Sequence, residues 1–391
     1  MLKRIFSEEQ NMFREAYRKF LREEIVPYME QWREQGIVDR SAFKRAGDQG
    51  FLMVWPEEAF GGVGDDDFRY EQIIIEENAY ARTYDWYSTL HSRLVGPYFI
   101  RYGTKEQQLR FLPKCVTGEH ILAIAMTEPD AGSDLAGIRS HAKDMGDYYL
   151  LNGSKTYISN GINADLVVVA AKTDPENNPH AMGLFVVERD MEGFDRGRNL
   201  KKMGMKAQDT AELFFNNVKV PKRNLLGDPT KGFHYLMEGL AEERLIGSCA
   251  ALSAAQLSFD LARDFAIERT MFGKPLSAFQ NTQFTLAELR TELDVAQAYI
   301  DQCVALHNAS ELTAVDAAKA KLLTSELQCK AADIGVQIHG GAGYMDEYPI
   351  SRQYTDARIA RIFGGASEIM KLIISRNSLS DEYEPFNIRN F

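Results

Sequence analysis

Apolar positions change their spacing twice along this 391-residue chain. At the start they recur every three or four residues: Phe6, Met12, Phe13, Ala16, Tyr17, Phe20 and Leu21 mark one face of a helix. Ser7 stands where an N-cap belongs, and Gln10 completes a capping box. The same spacing runs to about residue 118, broken by the loop Gly61–Asp67, and after that loop it resumes to Tyr102. Between about 119 and 227 the period falls to two. DLVVVAAKT, MGLFVVERD and AELFFNNVKVP read as strands, and YYLLNGSKTYIS as a hairpin turning at Asn152-Gly153. From Lys231 to about Ser378 the helical spacing returns, interrupted mainly at Pro275 and HGGAGYMDEYP. The order α, β, α predicts a mainly α protein with an antiparallel β middle domain, divided as 1–118, 119–227 and 228–391.

Composition narrows the function classes more than the fold. With 45% apolar and 26% charged residues the chain reads as globular. A net charge of −11 disfavours nucleic acid as a partner. Cys115, Cys249, Cys303 and Cys329 are scattered and read as buried free thiols. No apolar run suggests a bilayer-spanning segment, which needs ~20 residues. The N-terminus shows no apolar signal core, so a cytoplasmic protein of bacterial type is expected, or one of the mitochondrial matrix if the chain is a processed form. GxGxxG, GxSxG, HExxH and P-loop patterns are absent from the sequence, and no metal site is expected.

The candidate chemistry lies in a few segments. Ala123–Gly137, AIAMTEPDAGSDLAG, ends an apolar run and then supplies the hydroxyls of Thr127 and Ser133 beside Gly132. This suits a bulky phosphate-bearing ligand along a strand edge, although Gly-Ser-Asp is also common turn chemistry. KMGMKAQDTAELFF reads as a turn and a half-buried strand. Arg269 and Phe272, in ERTMFG, fall near a helix end, where a guanidinium either serves the helix dipole or meets a phosphate. HGGAGY lacks a nucleophile elbow to make it an oxyanion loop, and His339 reads as structural. One carboxylate breaks a pattern. Leu236, Leu240, Gly247, Ala250, Ala254, Leu257, Leu261 and Phe265 form an apolar or small stripe with one gap of seven, and Glu243 fills the gap. It is either a functional carboxylate or a buried partner of an arginine such as Arg244. Glu242 is expected on the opposite, solvated face.

Taken together, TEPDAGSD, YISNG, KMGMKAQDTAELFF, RTMFG, QIHGGAGY and ARIARIFGGASEIM resemble the acyl-CoA dehydrogenase family, in its order and spacing, from Phe6 to Arg376. The resemblance implies an N-terminal helical domain, a β-barrel or sandwich middle domain and a C-terminal four-helix bundle. It implies FAD, an acyl-CoA substrate oxidised to the trans-2-enoyl-CoA in fatty acid β-oxidation, electron-transfer flavoprotein as acceptor, and a homotetramer. Ile124, Met126, Thr127, Gly132 and Ser133 match the strand and loop along the flavin, with Ser133 also on the substrate side. Tyr157, Ile158 and Ser159 match the step beside the flavin ring, Tyr157 standing where Trp is commoner. Arg269, Phe272, Gln280, Gln337, Gly340 and Gly341 match segments that reach the FAD of a neighbouring subunit. Ala366 and Glu368 match the step near the adenosine end, where Ala366 lacks the usual Thr hydroxyl.

The resemblance also moves the base. Most of the family reads Y-E-G-T where this chain reads Phe363-Gly364-Gly365-Ala366. Two branches, the long-chain and isovaleryl enzymes, carry the base on an earlier helix in a Glu-Arg pair, which here is Glu243-Arg244. The phrasing around KAQDTAELFF and EIM is similar to the long-chain branch and implies medium-to-long acyl chains. Arg244, Gly364 and Gly365 are then the expected substrate contacts. The competing expectations are a dehydrogenase of branched or terpenoid acyl-CoA, an oxidase of the same fold, and a catalytically silent binding member of the family.

Overall fold

The structure, a computed structural model, describes Arg4, residues 6–174, Asn178 and residues 180–380. The expected C-terminal limit at 391 lies outside the described residues. Capping decides where helix begins. Ser7 Oγ accepts from the Gln10 N–H, and Gln10 Oε1 accepts from the Ser7 N–H, opening α1 (Glu8–Phe20). α2 (Met29–Gln35), α3 (Arg40–Asp48), α4 (Arg69–Tyr80), α5 (Gly96–Tyr102) and α6 (Lys105–Val116) follow, α6 with a second capping box at Thr104 and Gln107. The inner face of α1 is narrower than the spacing predicts. Tyr17, Phe20 and Leu21 are buried around Phe51 and Trp86, whereas Met12 is 63% exposed and Ala16 also faces out.

Eight strands form one sheet in the order β6-β7-β3-β2-β4-β5-β8, with β1 on β4: β1 (Leu122–Ala125), β2 (His141–Asp144), β3 (Tyr148–Ser159), β4 (Leu166–Lys172), β5 (Met182–Glu188), β6 (Phe194–Asn199), β7 (Thr210–Pro221) and β8 (Leu225–Leu226). β4 and β5 are continuous apolar runs because both their faces are covered. Leu166, Val168 and Ala170 join Phe99, Phe111 and Leu112 of the helices in one core. Val167, Val169 and Ala171 join Tyr149, Leu151 and Phe215 in another.

Two details differ from expectation. The sheet is mostly antiparallel, yet β4 runs parallel to β1 and touches β2 in parallel. Asn152-Gly153 makes no hairpin: β3 continues through it beside β7 with a slip in register between Leu151 and Gly153. Gly153 adopts φ 139°, and a Cβ there would lie 2.2 Å from Ser140 Oγ, so this glycine serves a bulge and a close approach. The turn falls earlier, at Gly146 between β2 and β3, closed by the Met145 N–H on the Tyr148 carbonyl.

Beyond the sheet come α7 (Gly232–Glu268), a ribbon of β9 (Thr270–Met271) and β10 (Lys274–Pro275), then α8 (Gln280–Asn308), α9 (Ala314–His339), α10 (Pro349–Ala357) and α11 (Ser367–Ser378). α7 corrects the expectation that no run is apolar enough to cross a membrane. An 18-residue window of it has mean hydropathy 1.3, but 78% of that window is buried in the protein, as for a core helix. The chain divides into two compact units, Ile5–Gly239, and Leu240–Phe391 with Met1–Arg4, and the elements above are described within each.

Candidate functional site

In the first unit two of the singled-out segments are bound to each other. The loop after β1 returns to β3, where the Thr127 carbonyl accepts from the Thr156 N–H at 2.9 Å. Lys155, fully buried, donates to the Met126 carbonyl at 2.9 Å and pairs with Glu128 at 2.8 Å. Glu128 also accepts from the Arg139 and Ser140 N–H groups. Burial pushes the Lys155 ammonium down to about 8 against the pull of Glu128. Burial would raise the Glu128 carboxyl, but Lys155 and the backbone donors hold it below its usual value.

β3 slips again between Lys155 and Ile158, and this bulge throws Tyr157 outward. Tyr157 is 69% exposed at φ 59°, a left-handed conformation that costs an L side chain about 1–2 kcal/mol. Ile158 differs: its side chain is buried in the sheet core, so only its backbone is left to face a ligand. The turn after Ser159 is held from the KMGMKAQD segment. Asp209 accepts from the Ile162 and Asn163 N–H groups at 2.8 and 3.2 Å, and Gln208 donates to Asn160 at 2.8 Å. Burial raises the Asp209 carboxyl against those donors. Ile124, Met126 and Thr127 are half-buried, while Gly132 and Ser133 are exposed and no atom lies within 4 Å of a Cβ built at Gly132.

In the second unit Glu243 and Arg244 lie in the closed part of α7, 8% and 6% exposed. From Glu242 to Ala255 every residue but Gly247 is buried, so this stretch is enclosed on all sides. The stripe that singled out Glu243 is itself uneven, with Leu240, Gly247, Leu261 and Phe265 half-buried. Glu242 is not solvated. It is buried, 3.6 Å from His307 Nε2, because α8 covers that side of α7. Gly247, one turn beyond Glu243, has open space where a side chain would stand. Arg244 Nε is buried with no hydrogen-bond partner among the described residues. Burial lowers the Arg244 guanidinium, opposed by the charge of Glu243. Gly364 and Gly365 take φ 61° and 103°, and a Cβ on Gly365 would lie 4.0 Å from Arg244 Nε. Lys321 donates to the Gly365 carbonyl.

The remaining expected residues of this unit form an open set. Arg269 follows α7 directly, exposed. Phe272 and Gly273, both at positive φ, make the two-residue turn of the β9–β10 ribbon in the manner of a type I′ hairpin, and the Phe272 ring is 89% exposed. Gln280 opens α8 and Gln337 lies in the last turn of α9, both exposed. Gly340 and Gly341 have nothing within 4 Å of their Cβ positions. His339 is structural, with Nδ1 on the Gly335 carbonyl at 2.7 Å and its ring stacked on Phe265 at 4.2 Å. Ala366 precedes α11 without a side-chain cap, and Glu368 is exposed in its first turn.

The motif reading missed Glu128, Lys155, Asp209 and Lys321, all side chains that hold the expected ligand contacts in place. Lys155 had a signal, a lysine at an inward position of an alternating strand. Lys321 had almost none, since Lys319 two residues earlier on the same helix is exposed.

Comparison with known proteins agrees over nearly the whole chain. The acyl-CoA dehydrogenase N-terminal, middle and C-terminal domain families match residues 7–119, 123–218 and 230–379. The mitochondrial long-chain specific acyl-CoA dehydrogenase of Rattus norvegicus is 47% identical over 382 residues, covering 97% of this chain and 89% of the rat protein. A solved acyl-CoA dehydrogenase from Geobacillus kaustophilus is 48% identical, with TM-score 0.94 over 96% of this chain and 99% of that one. A solved glutaryl-CoA dehydrogenase from Mycobacterium smegmatis, in complex with FADH2, is 27% identical, with TM-score 0.88 over 95% and 94%. An outward aromatic at a strained bulge, a buried guanidinium whose Nε has no partner among the described residues, and this likeness along the chain share one explanation: the protein belongs to the acyl-CoA dehydrogenase family.

Proposed function

We propose that the protein dehydrogenates straight medium-to-long acyl-CoA thioesters at Cα–Cβ with bound FAD, and that Glu243 is the base. The observation that carries this is the pair on α7: a buried carboxylate beside a buried guanidinium whose Nε lacks a partner among the described residues, while the other position used for the base in this family is Gly364. A buried guanidinium N–H with no protein partner among the described residues awaits an acceptor that the substrate brings. Glu243 takes the α-proton, which is weakly acidic only because the adjacent thioester carbonyl is polarised. Arg244 binds the thioester and CoA end. Bound FAD would supply the acceptor for the β-hydrogen as hydride, so that the acyl-CoA, losing one proton and one hydride, would leave as the trans-2-enoyl-CoA.

The residues fit a flavin. Tyr157 offers an aromatic face at a strained position, the Met126–Ser133 loop tied to it offers backbone and hydroxyl donors, and Gly132 leaves room for close approach. We assign Ile124, Met126, Thr127, Gly132, Ser133 and Tyr157–Ser159 to FAD. Arg269, Phe272, Gln280, Gln337, Gly340, Gly341, Ala366 and Glu368 contact the FAD of a neighbouring subunit in a homotetramer. Ser133, Gly364 and Gly365 contact the substrate, and the domains end at residues 118 and 227. The 47% identity to a long-chain enzyme supports the chain-length reading, and electron-transfer flavoprotein is the acceptor this reading expects. Glu243→Gln keeps size and packing but cannot accept a proton, so it should hold FAD and acyl-CoA yet reduce its flavin ~10²–10⁴-fold more slowly in anaerobic stopped flow. Bleaching at the wild-type rate refutes the assignment.

A further inference from the structure

The segment Arg361–Ser367, which carries the glycine pair, is gripped from α9. Glu326 accepts from Arg361 Nε at 2.9 Å and from Ser367 Oγ at 2.9 Å, and between these points Lys321 donates to the Gly365 carbonyl. Lys321 is 2% exposed. Holding a carbonyl needs no charge. A buried amide or hydroxyl would do it without the desolvation cost of an ammonium. The charge finds its use in what the glycine turn touches, the Arg244 guanidinium, 4.0 Å from the Cβ position of Gly365. The charged groups that act on Lys321 are Arg244 of α7, Glu326 of its own helix and Glu368 of α11. Burial and Arg244 push the Lys321 ammonium down to about 8, against the two carboxylates.

We propose that Lys321 is a positioning residue for turnover, fixing the Gly364–Gly365 turn through the Gly365 carbonyl and, by like-charge repulsion, keeping the Arg244 guanidinium turned toward the substrate. The proposal rests on the reading of Glu243 and Arg244 as the reacting pair. Only the protonated form does both jobs, because an ammonium makes a stronger, charge-assisted hydrogen bond and alone repels Arg244. The arrangement therefore weakens as pH rises through about 8, where Lys321 loses its proton.

The test uses holoenzyme: wild type, Lys321→Gln, Lys321→Arg and Glu243→Gln. Two quantities are followed from about pH 6 to about pH 10, the rate of flavin reduction by acyl-CoA and the affinity for the 2-enoyl-CoA product. In the wild type both fall above pH 8. Lys321→Gln, which keeps a donor without the charge, runs roughly tenfold slower throughout and shows no step there, whereas Lys321→Arg keeps the rate and moves the fall upward. A Lys321→Gln profile that follows the wild type within about twofold overturns the proposal. A wild type with no ionisation near pH 8 in either quantity also overturns it, and that result requires no variant to fold. Wild-type bleaching by Glu243→Gln removes the underlying reading as well. A silent Glu243→Gln beside a wild-type-like Lys321→Gln removes this proposal alone.

Discussion

The loop at Met126–Glu128 and the glycine turn at Gly364–Gly365 are both held by a buried lysine, but they are finished differently. Around the loop the polar groups close on the protein itself: Lys155 has the Met126 carbonyl and Glu128, and Glu128 has two further N–H donors. Around the turn Lys321 holds the Gly365 carbonyl, yet Arg244 Nε by Gly365 has no partner among the described residues. A closed network fixes a shape, whereas an open one keeps a hydrogen bond for something that arrives later. The first region also stores strain, at Tyr157, where the second uses glycine to avoid it. On this account the first serves cofactor retention and stability, and the second serves turnover.

That division can be broken, most forcefully at Lys155. Lys155→Met leaves the Glu128 carboxylate buried without its cation, which should cost about 3–5 kcal/mol and release FAD, read by urea unfolding and flavin fluorescence. If the remaining holoenzyme instead turns over slowly with unchanged stability, the division of labour is wrong. A separate buried group holds the head of β1: His91, whose Nε2 bonds the Cys115 carbonyl and whose Nδ1 accepts from the Leu122 N–H. Burial lowers this imidazole from 6.5 to about 4. The unfolded chain therefore takes up a proton first as pH falls, and stability should be intact above pH 6.5 and decline toward pH 4 by about 3 kcal/mol. Denaturation midpoints that are flat over this window in wild type and fall no further than in His91→Gln would contradict it. The smallest effect is the most discriminating. Asn tolerates the left-handed conformation, so Tyr157→Asn should stabilise the apoprotein by up to about 1 kcal/mol while weakening FAD binding. Loss of apoprotein stability would show that the ring has a structural role after all.

Much of this was legible in the chain because pattern and chemistry agreed. The capping box at Ser7 and Gln10 and the continuous apolar runs of β4 and β5 express local rules that burial then enforces. Asn152-Gly153 misled because its glycine answers to Ser140, a partner twelve residues before Asn152 in the sequence that only the sheet brings near. Glu242 misled because a 3.6-residue period assumes a helix with one wet face, and α8 leaves none there. The same enclosure explains why periodicity found Glu243 for an incomplete reason: a gap in a stripe marks one buried position, whereas the helix buries the whole turn. Lys321 and Lys155 act through backbone carbonyls of distant segments, and no spacing along the sequence encodes such contacts.

The central claim, that Glu243 removes the α-proton, is tested most directly apart from flavin reduction. Holoenzyme is incubated in D2O with an acyl-CoA whose β-carbon bears no hydrogen, so that the reaction stops at proton removal, and loss of the α-proton signal is followed by NMR. Wild type should exchange the α-protons, and Glu243→Gln should not, with both binding the ligand equally. Exchange at equal rates in the two proteins would contradict the account.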